Sequence, residues 1–180
     1  MASDCARVYE RLDSSKSTGF LDLSRCKLKQ IPNGLFMVMK SSRSEELDPP
    51  ITKCSLANNL LKTFPSKLIK EEKLFGKLES LDISGNRLSI LPSELEAMKT
   101  LTDFNLAGNS FQYLPEIVWD LPDIRRVDFS GNTIATLEVE RIRKVETLES
   151  LNLSGNPLAQ GIRDALVALA DERGFQLTLT

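Results

Sequence analysis

Aspartate precedes serine by two residues at three regularly spaced places, Asp22 with Ser24, Asp82 with Ser84 and Asp128 with Ser130. An acid beside a hydroxyl would suit hydrolysis if a base could activate the serine. The chain has no histidine, which excludes Ser-His-Asp and Cys-His pairs and histidine-ligated zinc. The best remaining base is Lys53, and an exposed lysine stays protonated at neutral pH. We therefore predict no catalytic residue and no enzymatic activity.

Carboxylates at Asp82, Asp103 and Asp128 are the best candidates for holding a cation. Side chains on a flat sheet do not wrap a metal ion, so we predict no metal site. Neither the phosphate-binding nor the dinucleotide-binding glycine motif occurs, and we predict no cofactor. The cysteines, Cys5, Cys26 and Cys54, are odd in number and form no CxxC pair, which favours a reducing, cytoplasmic location.

The charge balance argues against two classes of partner. Lysine and arginine number 23 against 25 acids, for a net charge of -2, so the chain lacks the basic surface that nucleic acid or an anionic membrane requires. Its apolar runs are too short to span a bilayer, and it begins without a signal peptide. We predict a soluble monomer whose partner is another protein.

A repeat supplies the elements that must position these residues. Its template is Leu78-x-x-Leu81-x-Ile83-x-x-Asn86-x-Leu88-x-x-Leu91-Pro92, and six copies place Asn or Cys at 26, 59, 86, 109, 132 and 156, at intervals of 33, 27, 23, 23 and 24 residues. Alternate residues of each short strand point inward, and stacked strands form a parallel sheet. The asparagine turns into the coil and satisfies buried backbone groups. The pattern predicts an α/β solenoid with a curved concave sheet and helical or irregular convex segments.

We expect residues 1–180 to form one domain with helical caps at both ends. Residues 18–158 hold the repeats, and 160–180 form a helix, stopped at Gly174, and a final strand containing Leu177 and Leu179. Residues 3–13 form the other cap. Its apolar face comprises Cys5, Val8, Tyr9 and Leu12, and its polar face comprises Arg7, Glu10 and Arg11.

The 23-residue form of this repeat resembles the leucine-rich repeats of Ras-suppressor and related intracellular scaffold proteins. The resemblance implies a leucine-rich-repeat solenoid of the short intracellular type. It also implies an intracellular module for protein contact, and it assigns no activity to particular residues.

The outward positions of the strands form three columns on the concave face. The first column reads Phe20, Lys53, Ser80, Asp103, Arg126, Ser150; the middle column reads Asp22, Ser55, Asp82, Asn105, Asp128, Asn152; and the third reads Ser24, Ala57, Ser84, Ala107, Ser130, Ser154. Such a polar trough can receive a partner's helix or loop. We predict that the binding residues are Asp82, Asp103, Asn105, Arg126, Asp128 and Lys53. The alternative is that these side chains only keep the sheet soluble.

Aromatic residues predict a second patch on the convex side. Ile117 and Trp119 occupy positions where the preceding repeat has Glu94 and Glu96, and Tyr113 aligns with Ile90. Exposed Trp and Tyr are favoured interface anchors. The alternative is that Trp119 folds back across the neighbouring coil.

Residues 41–50 insert serines, acids and two prolines into the first interval. They predict an exposed loop, either a tolerated insertion or a site of phosphorylation. For the whole chain, we predict a scaffold or adaptor that binds a protein on the concave face. A purely structural or self-associating role is the alternative.

Overall fold

The computed structural model describes residues 2–32, 34 and 49–180. These residues contain a first helix, α1 (Ala2–Thr18), and seven strands: β1 (Phe20–Asp22), β2 (Lys53–Ser55), β3 (Ser80–Asp82), β4 (Asp103–Asn105), β5 (Arg126–Asp128), β6 (Ser150–Asn152) and β7 (Gln176–Thr178). The described segments between the strands contain α2 (Lys67–Lys70), α3 (Glu72–Phe75), the 3-10 helices Ser93–Ala97 and Glu116–Val118, α4 (Val139–Arg143) and α5 (Gln160–Arg173).

The strands form one parallel sheet in chain order from β1 to β7. The central residue of each of the first six strands is buried, and the residues on either side of it face outward. The pairing aligns the first and middle columns as predicted, and β7 adds Gln176 and Thr178 to them. The predicted α/β solenoid is confirmed.

The core runs the length of the stack between the sheet and the convex segments. The spacing from each Leu-Pro pair predicts inward side chains at Leu95, Met98, Val118 and Leu121, and all four are buried. The Phe111 and Phe129 rings pack edge to face in adjacent coils, with centroids 5.6 Å apart. Each coil therefore completes the core of its neighbour, and a single coil would leave its apolar face in water.

Buried asparagines connect the coils at Asn59, Asn86, Asn109, Asn132 and Asn156. The Asn109 side-chain nitrogen donates to the Ile83 carbonyl of the preceding coil and to the Leu106 carbonyl of its own coil, both at 3.0 Å. Its side-chain oxygen accepts the Leu88 N–H at 3.0 Å. The amide thus satisfies buried backbone groups as the repeat predicts, and it also joins neighbouring coils.

The residue before each asparagine turns the chain sharply. It has positive φ in every described coil, and it is glycine at 85, 108, 131 and 155. A Cβ at Gly85 would lie 2.6 Å from the Asn58 side-chain oxygen of the preceding coil. Glycine therefore meets both the backbone conformation and the close stacking of the turns.

The N-terminal cap closes the stack through α1. Val8 and Leu12 are buried as predicted, whereas the predicted contacts of Cys5 and Tyr9 lie outside the described side chains. The Arg11 guanidinium, which we expected on the polar face, donates to the Ser24 carbonyl at 2.5 Å. Cys26 occupies the asparagine position of the first coil, so Arg11 supplies to the Ser24 carbonyl the donor that Asn86 supplies to the Ser84 carbonyl two coils later.

Helix α1 continues to Thr18, beyond the expected end at residue 13. Serine-rich sequence favours turns because hydroxyl groups compete for backbone partners. Here the hydroxyls bond within the helix, as Ser15 donates to the Leu12 carbonyl at 2.6 Å and Thr18 donates to the Ser14 carbonyl at 2.9 Å. Burial of Ser15 against the stack holds this last turn in place.

The C-terminal end follows the expected pattern. Helix α5 buries Leu166, Leu169 and Ala170. It stops at Gly174, which has φ 75° and donates its N–H to the Ala170 carbonyl at 2.8 Å. Strand β7 then pairs with β6, so the predicted seventh strand is present. In the predicted insertion 41–50, residues 41–48 lie outside the described residues.

Candidate protein-binding surfaces

The middle column of the sheet is partly committed to its own turns. One carboxylate oxygen of Asp82 accepts the Ser84 N–H at 2.9 Å, and Asp128 accepts the Ser130 N–H at 2.7 Å. The Asn105 side chain accepts the Ala107 N–H at 3.0 Å in the same way. These side chains therefore end the strands as well as facing the solvent.

The second oxygen differs between the two aspartates. In Asp128 it accepts the Asn152 side-chain amide at 3.0 Å. In Asp82 it has no hydrogen-bond partner among the described residues. Asp82 and Asp128 flank Asn105 across three adjacent strands, so the column presents outward acceptors at a spacing of about 4.8 Å per strand.

Five of the six predicted concave residues line one shallow trough, hereafter the concave trough, with a volume of about 430 Å³. They are Asp82, Asp103, Asn105, Arg126 and Asp128. The sixth, Lys53, is exposed on β2, opposite Ser80, and does not line the trough. The small residues of the third column do not line the trough.

The first column carries an ion-pair network that crosses β4, β5 and β6. Arg126 binds both Asp103 oxygens through two of its nitrogens, and its third nitrogen binds Glu149 at 2.7 Å. Arg125 binds the other Glu149 oxygen at 2.8 Å. Burial opposes ionisation of Asp103, but hydrogen bonds from Arg126 and Thr102 outweigh it and hold the pKa of Asp103 below its usual value.

Glu149 and Arg125 were absent from the predicted binding set. Both residues directly precede their strands, one position before the first column, and the adjacent strands β5 and β6 bring them together. A further column, taken one residue before the first column, places Arg125 opposite Glu149. The sequence therefore contained this signal.

The concave face offers poor conditions for the catalytic alternatives. Burial, with a smaller contribution from the Asp22 and Asp82 charges, raises the pKa of the Cys54 thiol to about 12. That thiol is protonated at neutral pH and is a weak nucleophile. Lys53 is exposed to water. Among the described residues, no group of three acidic or thiol side chains is arranged to hold a metal.

On the convex side, two of the three predicted patch residues share a groove. Tyr113 and Trp119 line a cavity of about 380 Å³, hereafter the convex groove. Tyr113 is 70% exposed, and Trp119 is partly buried against the core. Ile117 is also partly buried against the core and does not line the groove. The Trp119 side chain therefore packs partly against the core and also lines the groove. It fits both alternatives, an interface anchor and a residue folded back on its neighbouring coil.

In the described ranges 2–32, 34 and 49–180, no helix has the length and apolar character needed to cross a bilayer.

Comparison with known proteins agrees with the repeat and the sheet. The Leucine Rich Repeat family model matches residues 77–98 and 147–169. The mouse PH domain leucine-rich repeat-containing protein phosphatase 1 is 29% identical over 92% of this chain and 11% of its own length. Human leucine-rich repeat-containing protein 20 is 34% identical over 56% of this chain and 52% of its own length.

A solved leucine-rich-repeat protein from Leptospira interrogans superposes with a TM-score of 0.61 at 25% identity, over 71% of this chain and 31% of that protein. The chain therefore spans about a tenth of the phosphatase relative and about half of leucine-rich repeat-containing protein 20. With six registered repeats and one parallel sheet in chain order, the chain is a leucine-rich-repeat solenoid and resembles leucine-rich repeat-containing protein 20.

Proposed function

We propose that this chain is a protein-interaction module, a scaffold or adaptor, that binds its partner in the concave trough. The observation that carries the proposal is the row of outward acceptors at Asp82, Asn105 and Asp128, beside the Asp103–Arg126 pair. A parallel sheet curved into a solenoid offers a broad surface for a partner's helix or loop. The leucine-rich-repeat fold and family support a protein-contact role in general.

The expected contacts follow from the charges left after the internal pairs are made. Asp103 is neutralised by Arg126, so the Asp82 and Asp128 carboxylates remain the acidic acceptors at the centre of the trough. A partner that presents lysine, arginine or backbone N–H groups would donate hydrogen bonds to these two carboxylates. Such contacts give specificity and a fast, salt-sensitive association more than raw affinity.

The test is affinity capture with the Asp82→Asn/Asp128→Asn double variant. Asparagine removes the charge and keeps an oxygen that can accept the Ser84 and Ser130 N–H groups. Asn105 shows that asparagine fits this position, since its side-chain oxygen accepts the Ala107 N–H in the equivalent turn. The matched control is Glu94→Gln/Glu96→Gln, which removes two charges from the convex side, where both residues are exposed.

We expect a defined set of proteins that wild type and the control capture and the aspartate variant does not, with recovery falling as salt rises. Equal recovery of every protein by the aspartate variant would reject the concave assignment. If the purified chain instead sediments as a concentration-dependent oligomer and captures no other protein, self-association is the better description.

A further inference from the structure

The convex groove lies where two neighbouring coils differ in their convex segments. The earlier coil has the 3-10 helix Glu116–Val118, and the later coil has the α-helix Val139–Arg143. An α-helical turn is wider than a 3-10 turn, so the two segments do not pack flush. An isolated parallel bridge between Tyr113 and Thr136 holds one edge of the gap.

The residues at this gap depart from the repeat. Trp119 stands where the preceding repeat has Glu96, and Glu138 stands where the two preceding repeats have Pro92 and Pro115. Both substituted side chains line the groove. The departures therefore converge on one place, although the repeat itself needs neither of them.

Four of the eight residues that line the groove are apolar or aromatic, and the other four are polar or charged. Leu114, Leu137 and Trp119 line it and are partly buried against the core. Tyr113 is 70% exposed beside them. Tyrosine and tryptophan bury large areas at low entropic cost, which makes them common anchors for a partner.

Charged side chains at the rim of the groove indicate what kind of partner would fit it. Arg141 binds the Glu116 carboxylate at 2.8 Å and lies 3.9 Å from the Glu138 carboxylate. Two acids thus share one cation, and Glu138 is the loosely held one, with its side chain 77% exposed. The rim keeps one negative charge, which favours a cation next to the apolar contact.

We propose that the convex groove binds a short peptide segment of a protein partner, with one apolar side chain seated beside Trp119 and an adjacent lysine or arginine against Glu138. A volume of about 380 Å³ falls within the range of small-ligand sites, which suits one or two side chains. This site lies on the convex side, apart from the concave trough, so either can fail without the other.

The intrinsic fluorescence of Trp119 tests the proposal, because it is the sole tryptophan in the sequence. The probes are the capped tetrapeptides Leu-Phe-Arg-Arg and Leu-Phe-Glu-Glu, titrated to millimolar concentration against the intact chain. We expect a saturable shift of Trp119 emission to shorter wavelength with the basic peptide. The acidic peptide should bind at least tenfold more weakly, a difference of about 1.4 kcal/mol.

Two variants keep the tryptophan and alter its neighbours. We expect Tyr113→Ala to weaken binding of the basic peptide by about tenfold. Glu138→Gln removes an exposed charge and should weaken it by about threefold. The first control, Ile90→Ala, changes the exposed residue that aligns with Tyr113 in the preceding coil. The second, Glu94→Gln, removes another exposed charge from the convex side, and both should leave the affinity for the basic peptide unchanged. Circular dichroism of each variant checks that the fold is retained.

Three outcomes would overturn the proposal: no emission response to the basic peptide, equal affinity for the acidic peptide, or unchanged affinity in both groove variants. Sedimentation of the chain alone supplies a fourth. A dimer that Tyr113→Ala abolishes would mean that the groove is occupied by a second copy of the chain.

Discussion

At the residue scale, asparagine has two roles in the same coil. Asn109 is buried and bonds with backbone groups of two coils, whereas Asn105 faces the concave side and accepts one N–H from its own turn. Removing a buried amide leaves its backbone partners without water to replace it, whereas water reaches the partner of an exposed one. The burial of the side chain therefore decides its structural importance.

We predict that Asn109→Ala lowers the free energy of unfolding by about 3 kcal/mol, because several buried backbone groups lose their partner. The control is Asn105→Ala in the same coil, which should cost about 1 kcal/mol or less. Urea denaturation followed by circular dichroism measures both. Equal losses of unfolding free energy in the two variants would contradict a larger structural role for the buried asparagine than for the one on the concave face.

Asp103 supplies a pH-dependent contribution. Its pKa is lowered in the folded chain, because the Arg126 and Thr102 hydrogen bonds outweigh burial. A carboxylate of this kind adds stability above its unfolded pKa, and that stability is lost as the pH falls through the folded value. Wild type should therefore lose this contribution only in acid.

In the Arg126→Gln variant, we predict that the pKa of Asp103 rises, because burial remains and the cation is gone. NMR titration of the Asp103 side-chain carboxyl carbon measures the change. Arg125→Gln is the control, since Arg125 binds Glu149 and makes no described contact with Asp103. The ion-pair interpretation fails if both variants titrate like wild type.

The sequence predicted which residues the concave columns contain and could not predict how each is bonded. Repeat spacing assigns Asp82 and Asp128 to the middle column directly, since side chains alternate along a strand. The bond from Asp128 to Asn152 depends on rotamers across two strands, and spacing does not specify rotamers. Whether Asp82, Asn105 and Asp128 bind a partner remains a prediction.

At the element scale, the coils follow from the repeat and the N-terminal cap does not. Leu81, Ile83 and Asn86 recur in register, so their strand and turn are predictable. The contact of Arg11 with Ser24 links a helix to the first coil, has no counterpart in other coils, and therefore leaves no periodic signal. The last turn of α1 was missed because buried Ser15 overrides a weak local preference.

We predict that Arg11→Met lowers the free energy of unfolding by about 2 kcal/mol, because methionine keeps the apolar stem and removes the charged donor to the Ser24 carbonyl. Lys16→Met in the same helix is the control. Among the described residues, Lys16 pairs only with exposed Asp13, so its replacement should cost below about 0.5 kcal/mol. Equal losses in thermal unfolding would contradict a capping role for Arg11.

At the scale of the whole molecule, the residues that stabilise the stack point inward and the residues available to a partner point outward. The inward leucines and the asparagine row hold the coils together, and the outward side chains form the two surfaces. The concave trough and the convex groove lie on opposite sides of this core and have different linings. Mainly polar side chains of the sheet line the trough, whereas two aromatic residues, two leucines and four polar residues line the groove. Binding at one surface therefore does not require the other surface.

Cross-saturation NMR on the isotope-labelled chain, in complex with the protein that the aspartate variant fails to capture, tests the concave assignment most directly. We predict that saturation reaches the amides of Asp82, Asn105 and Asp128, and not those of the convex 3-10 helices Ser93–Ala97 and Glu116–Val118. Saturation confined to the convex helices, with the strand amides unaffected, would contradict the assignment.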